Sequence, residues 1–93
     1  MARPRFEDAE ELSAKTALTL KLNELLDQRK LSQTEAAAIT GMTQPKVSQV
    51  RRYKLQSISL ERLIQALVSL DQHVEIVVHP ARNTHTHGIT VTA

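Results

Sequence analysis

The chain has 93 residues with no cysteine, a formal net charge of +2 and a sequence pI near 9.3. This length allows one small domain with a modest core, and the absence of cysteine excludes disulfide frameworks, thiol nucleophiles and Cys-ligated zinc. With 41% hydrophobic but only 2% aromatic residues, the composition favours packed helices and argues against a stacking platform for single-stranded nucleic acid.

The N-terminal stretch MARPRFEDAEE is polar and has no apolar run after its arginines, so it lacks the features of a signal peptide. We therefore expect a cytoplasmic protein that does not enter a membrane. Residues 1–12 are interpreted as a polar arm that can be helical from Asp8 onward, because Pro4 disfavours helix before it. From residue 13 to about Arg29, leucines at helical spacing predict a first helix with one buried face.

Two short helices follow, and capping signals mark the first of them. Ser32 and Glu35 form a capping-box pattern that predicts the start of a second helix at Gln33. Gly41 can adopt the left-handed conformation that ends this helix.

A third helix is predicted over residues 44–52. Thr43 is a suitable N-cap, and Pro45 fits the first turn because its missing amide hydrogen has no helical acceptor there. Only Val47 and Val50 can form a buried side on this helix, which leaves its opposite face polar.

The fourth helix, LERLIQALVSL, starts after Ser57 or Ser59 and has aliphatic residues repeating at helical intervals. Residues 13–72 therefore make up a mainly all-α domain of four to five helices. After it, residues 73–80 (HVEIVVHP) switch to β-branched residues over a strand length. The predicted strand places three aliphatic residues on one face: Val74, Ile76 and Val78.

A single strand cannot remain unpaired, and the other strand-like piece is the weak ITVT at residues 89–92, within a polar tail of residues 81–93. The simplest partner is the same strand of a second copy across a twofold axis, which predicts a homodimer. Pairing with residues 89–92 of the same chain stays open as the alternative.

The second and third helices have the spacing of a helix-turn-helix. Counted from Gln33 as the first residue of a two-helix unit, Ala37 is the fifth, Gly41 the ninth, Val47 the fifteenth and Val50 the eighteenth. A helix-turn-helix requires at these places a small side chain, a residue that tolerates positive φ, and two apolar anchors for the second helix. The alternative is a plain helical bundle in which the pattern is a coincidence.

With the two valines buried, the polar face of the third helix would meet the major groove of double-stranded DNA. Glutamine can present a donor and an acceptor together to adenine, and lysine can reach the acceptors of guanine. This chemistry predicts three base-reading residues: Gln44, Lys46 and Gln49.

Contacts with DNA phosphates are predicted for the helix-terminal, hydroxyl and basic side chains nearby. These residues are Gln33, Thr43, Ser48, Arg51, Arg52 and Lys54. A solvated basic face is the alternative, and Arg51 or Arg52 could instead pair with an acid of a neighbouring helix.

The stretch LSQTEAAAITGMTQPKVSQVRRYKLQSISLERLIQAL resembles the helix-turn-helix of the phage-repressor-like (XRE, Cro/CI-type) regulators. Extended through HVEIVVHP, it is similar to the small HigA-like antitoxins within that family, over roughly residues 14–80. The resemblance implies a lambda-repressor-like bundle and a dimeric DNA-binding protein that represses its own operon. Because many members of this group neutralise a RelE/HigB-like ribosome-dependent mRNA endonuclease, the resemblance also implies that role. In such repressors the residues matching Gln33 touch the DNA backbone, and those matching Gln44 and Gln49 read bases.

Two residues depart from the family pattern. Thr40 stands where a larger aliphatic residue is usual, which would loosen the core slightly. Tyr53 replaces the glycine that commonly ends the recognition helix, and a tyrosine at positive φ is costly.

Nothing in the sequence suggests an enzyme. Ser48 has no histidine or lysine arranged as its base, and Glu75 has no paired carboxylate, nucleophile or phosphate loop beside it. Four histidines include an HTH triplet, but without cysteine or an acidic cluster we interpret them as solvated and expect no metal and no cofactor. They are His73, His79, His85 and His87.

The sequence thus predicts a repressor that binds a palindromic operator as a homodimer, with half-sites about 34–36 Å apart. The resemblance makes it the antitoxin of a toxin-antitoxin operon. One alternative is a protein-interaction module that neutralises a RelE/HigB-like toxin, with DNA binding secondary. The other is a plain phage-type repressor with no toxin.

Overall fold

The structure is a computed structural model that describes residues 6–81 and 88–92. Over these ranges the chain forms four α-helices, within the expected four to five. They are α1 (Phe6–Gln28), α2 (Gln33–Thr40), α3 (Gln44–Arg51) and α4 (Leu60–Ser69). None of these helices combines the length and the apolar character needed to cross a membrane. His85 and His87 lie outside the described residues.

The first helix is longer than its leucine pattern predicted. It begins at Phe6, so most of the segment interpreted as a polar arm is helical. The reason is local, because residues 9–12 (AEEL) are good helix formers and acidic side chains are favourable near the positive end of a helix dipole. The helix thus begins two residues before Asp8, from which the sequence allowed the arm to be helical.

One hydrophobic core joins all four helices. α1 packs against α4 and α3, and α2 packs against α3 and α4. The leucine stripe predicted on α1 is buried, as is the aliphatic side of α4. The side chains with the least exposure include Leu22, Val47, Val50, Leu63 and Leu70.

The turn between α2 and α3 has the predicted chemistry. Ser32 and Glu35 exchange the two hydrogen bonds of a capping box, at 2.9 and 3.1 Å. Gly41 has a φ of 76° and its amide donates to the carbonyl oxygen of Ala37, which closes α2. Thr40 is buried, and its hydroxyl donates to Ala36 at 2.7 Å. The smaller side chain at this position therefore adds a hydrogen bond within the core.

The recognition helix α3 ends in a Schellman motif with a tyrosine at the left-handed position. Tyr53 has a φ of 59°, the amide of Lys54 donates to the carbonyl oxygen of Gln49, and the amide of Tyr53 donates to that of Val50. A non-glycine residue in this conformation costs about 1–2 kcal/mol. The costly conformation anticipated from the sequence is thus present, and the hydrogen bonds of the motif hold it.

Residues 73–80, predicted as a strand, form no strand ladder within the described part of the chain. Residues 88–92 do not pair with them either, so the intramolecular alternative is not what this single chain adopts. Val74 is half-buried against the core, whereas Ile76 and Val78 are 74% and 90% exposed. The described part of the chain contains no strand whose edge this segment could pair with. Val91, from the segment interpreted as a polar tail, also packs against the core.

Glu35 gives α2 a stability that depends on pH. Two hydrogen bonds with Ser32 lower the pKa of Glu35 from its ordinary value of 4.5. The bond from the backbone amide of Ser32 has the larger effect, and the bond with its side chain has the smaller one. A lowered pKa in the folded state means that the stabilisation is present above the unfolded pKa and is lost as pH falls through the folded one. In an NMR titration we expect Glu35 to titrate below 4.5.

The variant Ser32→Ala should raise the pKa of Glu35 only part of the way, because the larger contribution comes from the backbone amide, which the variant keeps. Titration of Glu35 at or above 4.5 in the unmodified protein would contradict the capping box.

Candidate nucleic-acid interface

Helix α3 is attached to the domain through a narrow apolar side. Val47 and Val50 are 1% and 0% exposed, which confirms the two predicted anchors. The helix starts at Thr43, whose side chain accepts a hydrogen bond from the amide of Lys46 at 3.3 Å, with Pro45 in the first turn. Apart from Arg51, the polar residues between and beside the valines therefore make up the outer face of α3.

The predicted contact residues lie at two levels of exposure. Gln44, Thr43 and Gln33 are exposed, at the starts of α3 and α2. Arg52 and Lys54 are also exposed, just after α3, and neither forms an ion pair with another described residue. The remaining four are half-buried: Lys46, Ser48, Gln49 and Arg51.

Lys46 and Gln49 are brought together by a serine that the sequence interpretation considered only as a helix cap. The ammonium of Lys46 donates to the carbonyl oxygen of Ser57 at 2.9 Å and to its hydroxyl at 3.2 Å. The same hydroxyl donates to Oε1 of Gln49 at 3.0 Å. We call these three residues the Ser57 cluster. The N-cap of α4 is Ser59, which leaves the Ser57 side chain for this role.

Arg51 faces the domain. Its guanidinium donates to the backbone and side-chain oxygens of Asn23, at 3.2 and 3.0 Å, and forms an ion pair with Asp27. This is the alternative considered above, in which an arginine of α3 pairs with an acid of a neighbouring helix. A phosphate contact by Arg51 would have to compete with these partners.

A row of polar residues on α1 holds the end of α3 in place. We call this row the α1 polar ridge; its members are four residues apart, namely Lys15, Thr19, Asn23 and Asp27. Asn23 donates to the carbonyl oxygen of Val50 at 3.1 Å, and Lys15 donates to that of Leu55 at 3.3 Å. Both carbonyls lie at or beyond the last turn of α3, where backbone acceptors lack helical partners.

The ridge is largely buried. Lys15, Thr19 and Asn23 are at most 9% exposed, and the Thr19 hydroxyl has no hydrogen-bond partner among the described residues. Sequence reasoning missed these residues because the adjacent leucine stripe defined the buried face of α1. The available signal was the recurrence of polar residues every four positions beside that stripe.

Comparisons with known proteins agree with this geometry. A family model described as a helix-turn-helix domain matches residues 1–79 of the chain. The chain is also similar to a solved structure named as an XRE-family transcriptional regulator, with a TM-score of 0.82 and 46% sequence identity. That match covers 92% of this chain and 98% of the other. No curated protein matches the chain.

Asn23→Ala should destabilise the fold and misplace α3, because it removes the buried amide that donates to the Val50 carbonyl and the side-chain oxygen that accepts from Arg51. We expect a loss of about 1–3 kcal/mol in the free energy of unfolding, measured by urea denaturation. The matched control is Gln28→Ala on the same helix, where the amide only contacts exposed Glu24. The control should cost less than about 0.5 kcal/mol. Equal losses in the two variants would show that the ridge does not anchor α3.

Proposed function

Since the chain belongs to the XRE family of helix-turn-helix transcriptional regulators, we propose that it is a repressor that binds double-stranded DNA with α3 in the major groove. The observation that carries this proposal is the division of α3 into a side anchored by two valines and an outer polar face. A helix serving only the core has no need of that polar face.

The dimensions and chemistry of α3 suit the groove. Eight residues make a helix about 12 Å long, which the major groove of B-DNA can admit. Gln44 at the first turn and Gln49 at the last can both present amide groups to base edges. Lys46 lies between them and adds a cationic donor.

We assign base reading to Gln44, Lys46 and Gln49, as the spacing predicted. Phosphate contacts are assigned to five residues that flank the recognition face: Gln33, Thr43, Ser48, Arg52 and Lys54. Arg51 is assigned first to the fold, because it already binds Asn23 and Asp27. It contributes to DNA binding by fixing α3 and only secondarily by direct contact with phosphate.

We further propose that the protein acts as a homodimer on a palindromic operator. Val74 packs against the core. Ile76 and Val78, which follow it on the same face of an alternating strand pattern, are exposed to solvent. A second copy related by a twofold axis could cover them by pairing through residues 74–78. Such a dimer would present two α3 helices to half-sites about 34–36 Å apart.

The antitoxin role is a separate proposal that rests on the sequence resemblance over residues 14–80. In it, the protein represses its own operon and neutralises a RelE/HigB-like toxin. A protein-interaction module with secondary DNA binding, or a phage-type repressor without a toxin, would have the same α3. Only a partner experiment separates the three.

Binding of the purified protein to its own promoter fragment, compared with a scrambled duplex over a range of salt concentrations, tests the repressor proposal. We expect salt-sensitive preference for the promoter. Adding the product of the adjacent gene tests the antitoxin proposal, since a shift in DNA binding would support it. No preference at any salt, together with tight binding to the neighbour, would establish the interaction module instead.

Two substitutions separate base reading from phosphate binding. Gln44→Ala should reduce the preference for operator over random DNA, with a loss of about 1–3 kcal/mol on the operator. Arg52→Ala should weaken binding to both duplexes and lower the salt slope by about one. Fluorescence anisotropy titrations at several salt concentrations measure both effects, with Gln28→Ala and Lys30→Ala as controls at exposed residues outside the assigned contact set. Identical behaviour of the two α3-region variants would contradict the assignment of roles.

Dimerisation through residues 74–78 is tested by charge insertion. Ile76→Lys should shift sedimentation from dimer to monomer, because the charged side chain would enter the proposed interface. Val77→Lys is the matched control, since successive strand residues point to opposite faces and Val77 is similarly exposed. Loss of the dimer in both variants, or in neither, would contradict the proposed register.

A further inference from the structure

The Ser57 cluster fixes more than the positions of two side chains. An ammonium group has only donors, so the Ser57 hydroxyl must accept the hydrogen bond from Lys46. Its own hydrogen is then available to donate to the side-chain oxygen of Gln49. The Gln49 amide therefore turns its oxygen toward Ser57, at 3.0 Å, and its NH₂ group away.

The groups of the Ser57 cluster that point away from Ser57 are hydrogen-bond donors. The carbonyl oxygen of Gln49 points toward Ser57 and accepts from its hydroxyl, so the NH₂ group is the part of the amide directed away from Ser57. Lys46 uses two of its three N–H groups on the Ser57 carbonyl and hydroxyl oxygens and keeps one. Two donors from adjacent side chains match the edge of guanine, which presents N7 and O6 as acceptors. A glutamine free to offer its oxygen would instead match adenine.

Ser57 is held firmly enough to impose this arrangement. It lies in the α3–α4 loop between Leu55 and Ile58, which are both 2% exposed. The amide of Ile58 donates to the carbonyl oxygen of Leu55 at 3.1 Å, and that oxygen also accepts from Lys15 of the α1 polar ridge. The loop backbone beneath the cluster is therefore anchored to the core on both sides of the serine.

We propose that Ser57 is a specificity-determining residue that never needs to touch DNA, and that it makes Gln49 and Lys46 select guanine over adenine. This inference rests on the proposed DNA-binding function and refines it. Taken as an isolated side chain, Gln49 would be expected to pair with adenine. With Ser57 in place, that pairing applies to Gln44 and not to Gln49.

The test is a base-substitution panel of the operator, in which each base pair is replaced in turn and affinity is measured for every variant. Gln49→Ala first identifies the base pair that Gln49 faces, as the position where preference is lost. At that position the unmodified protein should prefer guanine over adenine. Ser57→Ala should reduce this preference by about tenfold, because the freed glutamine can then bind adenine as well.

Two further variants separate positioning from general structural damage. Ser57→Thr keeps a hydroxyl and should keep the preference for guanine. Ser13→Ala removes an exposed hydroxyl on α1 and should change nothing. Binding of Ser57→Ala to random DNA, including its salt slope, should match that of the unmodified protein because no phosphate contact is removed.

An unchanged base preference in Ser57→Ala, or loss of the preference in both Ser57→Ala and Ser57→Thr, would overturn the inference and leave the repressor proposal intact. Absence of any sequence preference in the unmodified protein would overturn both. These results are distinguishable because the operator panel is measured first with the unmodified protein.

Discussion

The attachment of α3 to α1 is the constraint on which the rest of the structure depends. Two buried valines hold one side of an eight-residue helix, which is a small apolar contact for a helix that must keep a fixed orientation. The α1 polar ridge adds directional bonds, from Asn23 to the Val50 carbonyl and from Arg51 back to Asn23 and Asp27. Because these bonds are partly withdrawn from water, breaking one of them costs more than breaking an exposed contact.

This attachment divides the polar residues of α3 into two groups. Arg51 is used by the fold, and its charge is balanced by Asp27. Arg52 and Lys54 have no ion-pair partner in the described part of the chain, which is compatible with the proposed contacts to DNA phosphate. Lys46 and Gln49 share features of both groups. Their hydrogen bonds with Ser57 orient them, and they still have donors that face outward. A modest net charge of +2 is therefore compatible with a strongly directional basic face.

Local signals in the sequence were enough to predict the second and third helices. The capping box at Ser32, the left-handed Gly41 and the anchors Val47 and Val50 each depend on neighbours within one or two turns, and the structure confirms all of them. The partners of Asn23 and Arg51 could not be predicted, because the bonded residues lie 27 and 28 positions apart. Periodicity identifies which face of a helix is buried, but it does not show which carbonyl lies opposite which side chain.

The structure at the two ends of the chain depends on more than composition. The acidic composition of residues 7–11 suggested an arm, although helix propensity and dipole interactions favour a helix there. The β-branched composition of residues 73–80 predicts a strand, but a strand exists only where an edge is available. The described part of the chain offers none, so residues 73–80 form no strand there, and Ile76 and Val78 are exposed.

The most direct test of the central claim is methylation interference on the promoter fragment. Methylation of guanine N7 blocks the major groove, whereas methylation of adenine N3 blocks the minor groove. If α3 enters the major groove as its anchored geometry requires, methylated guanines in two related clusters should abolish binding. Interference confined to adenine N3, or none at either atom, would contradict the claim that the polar face of α3 reads DNA.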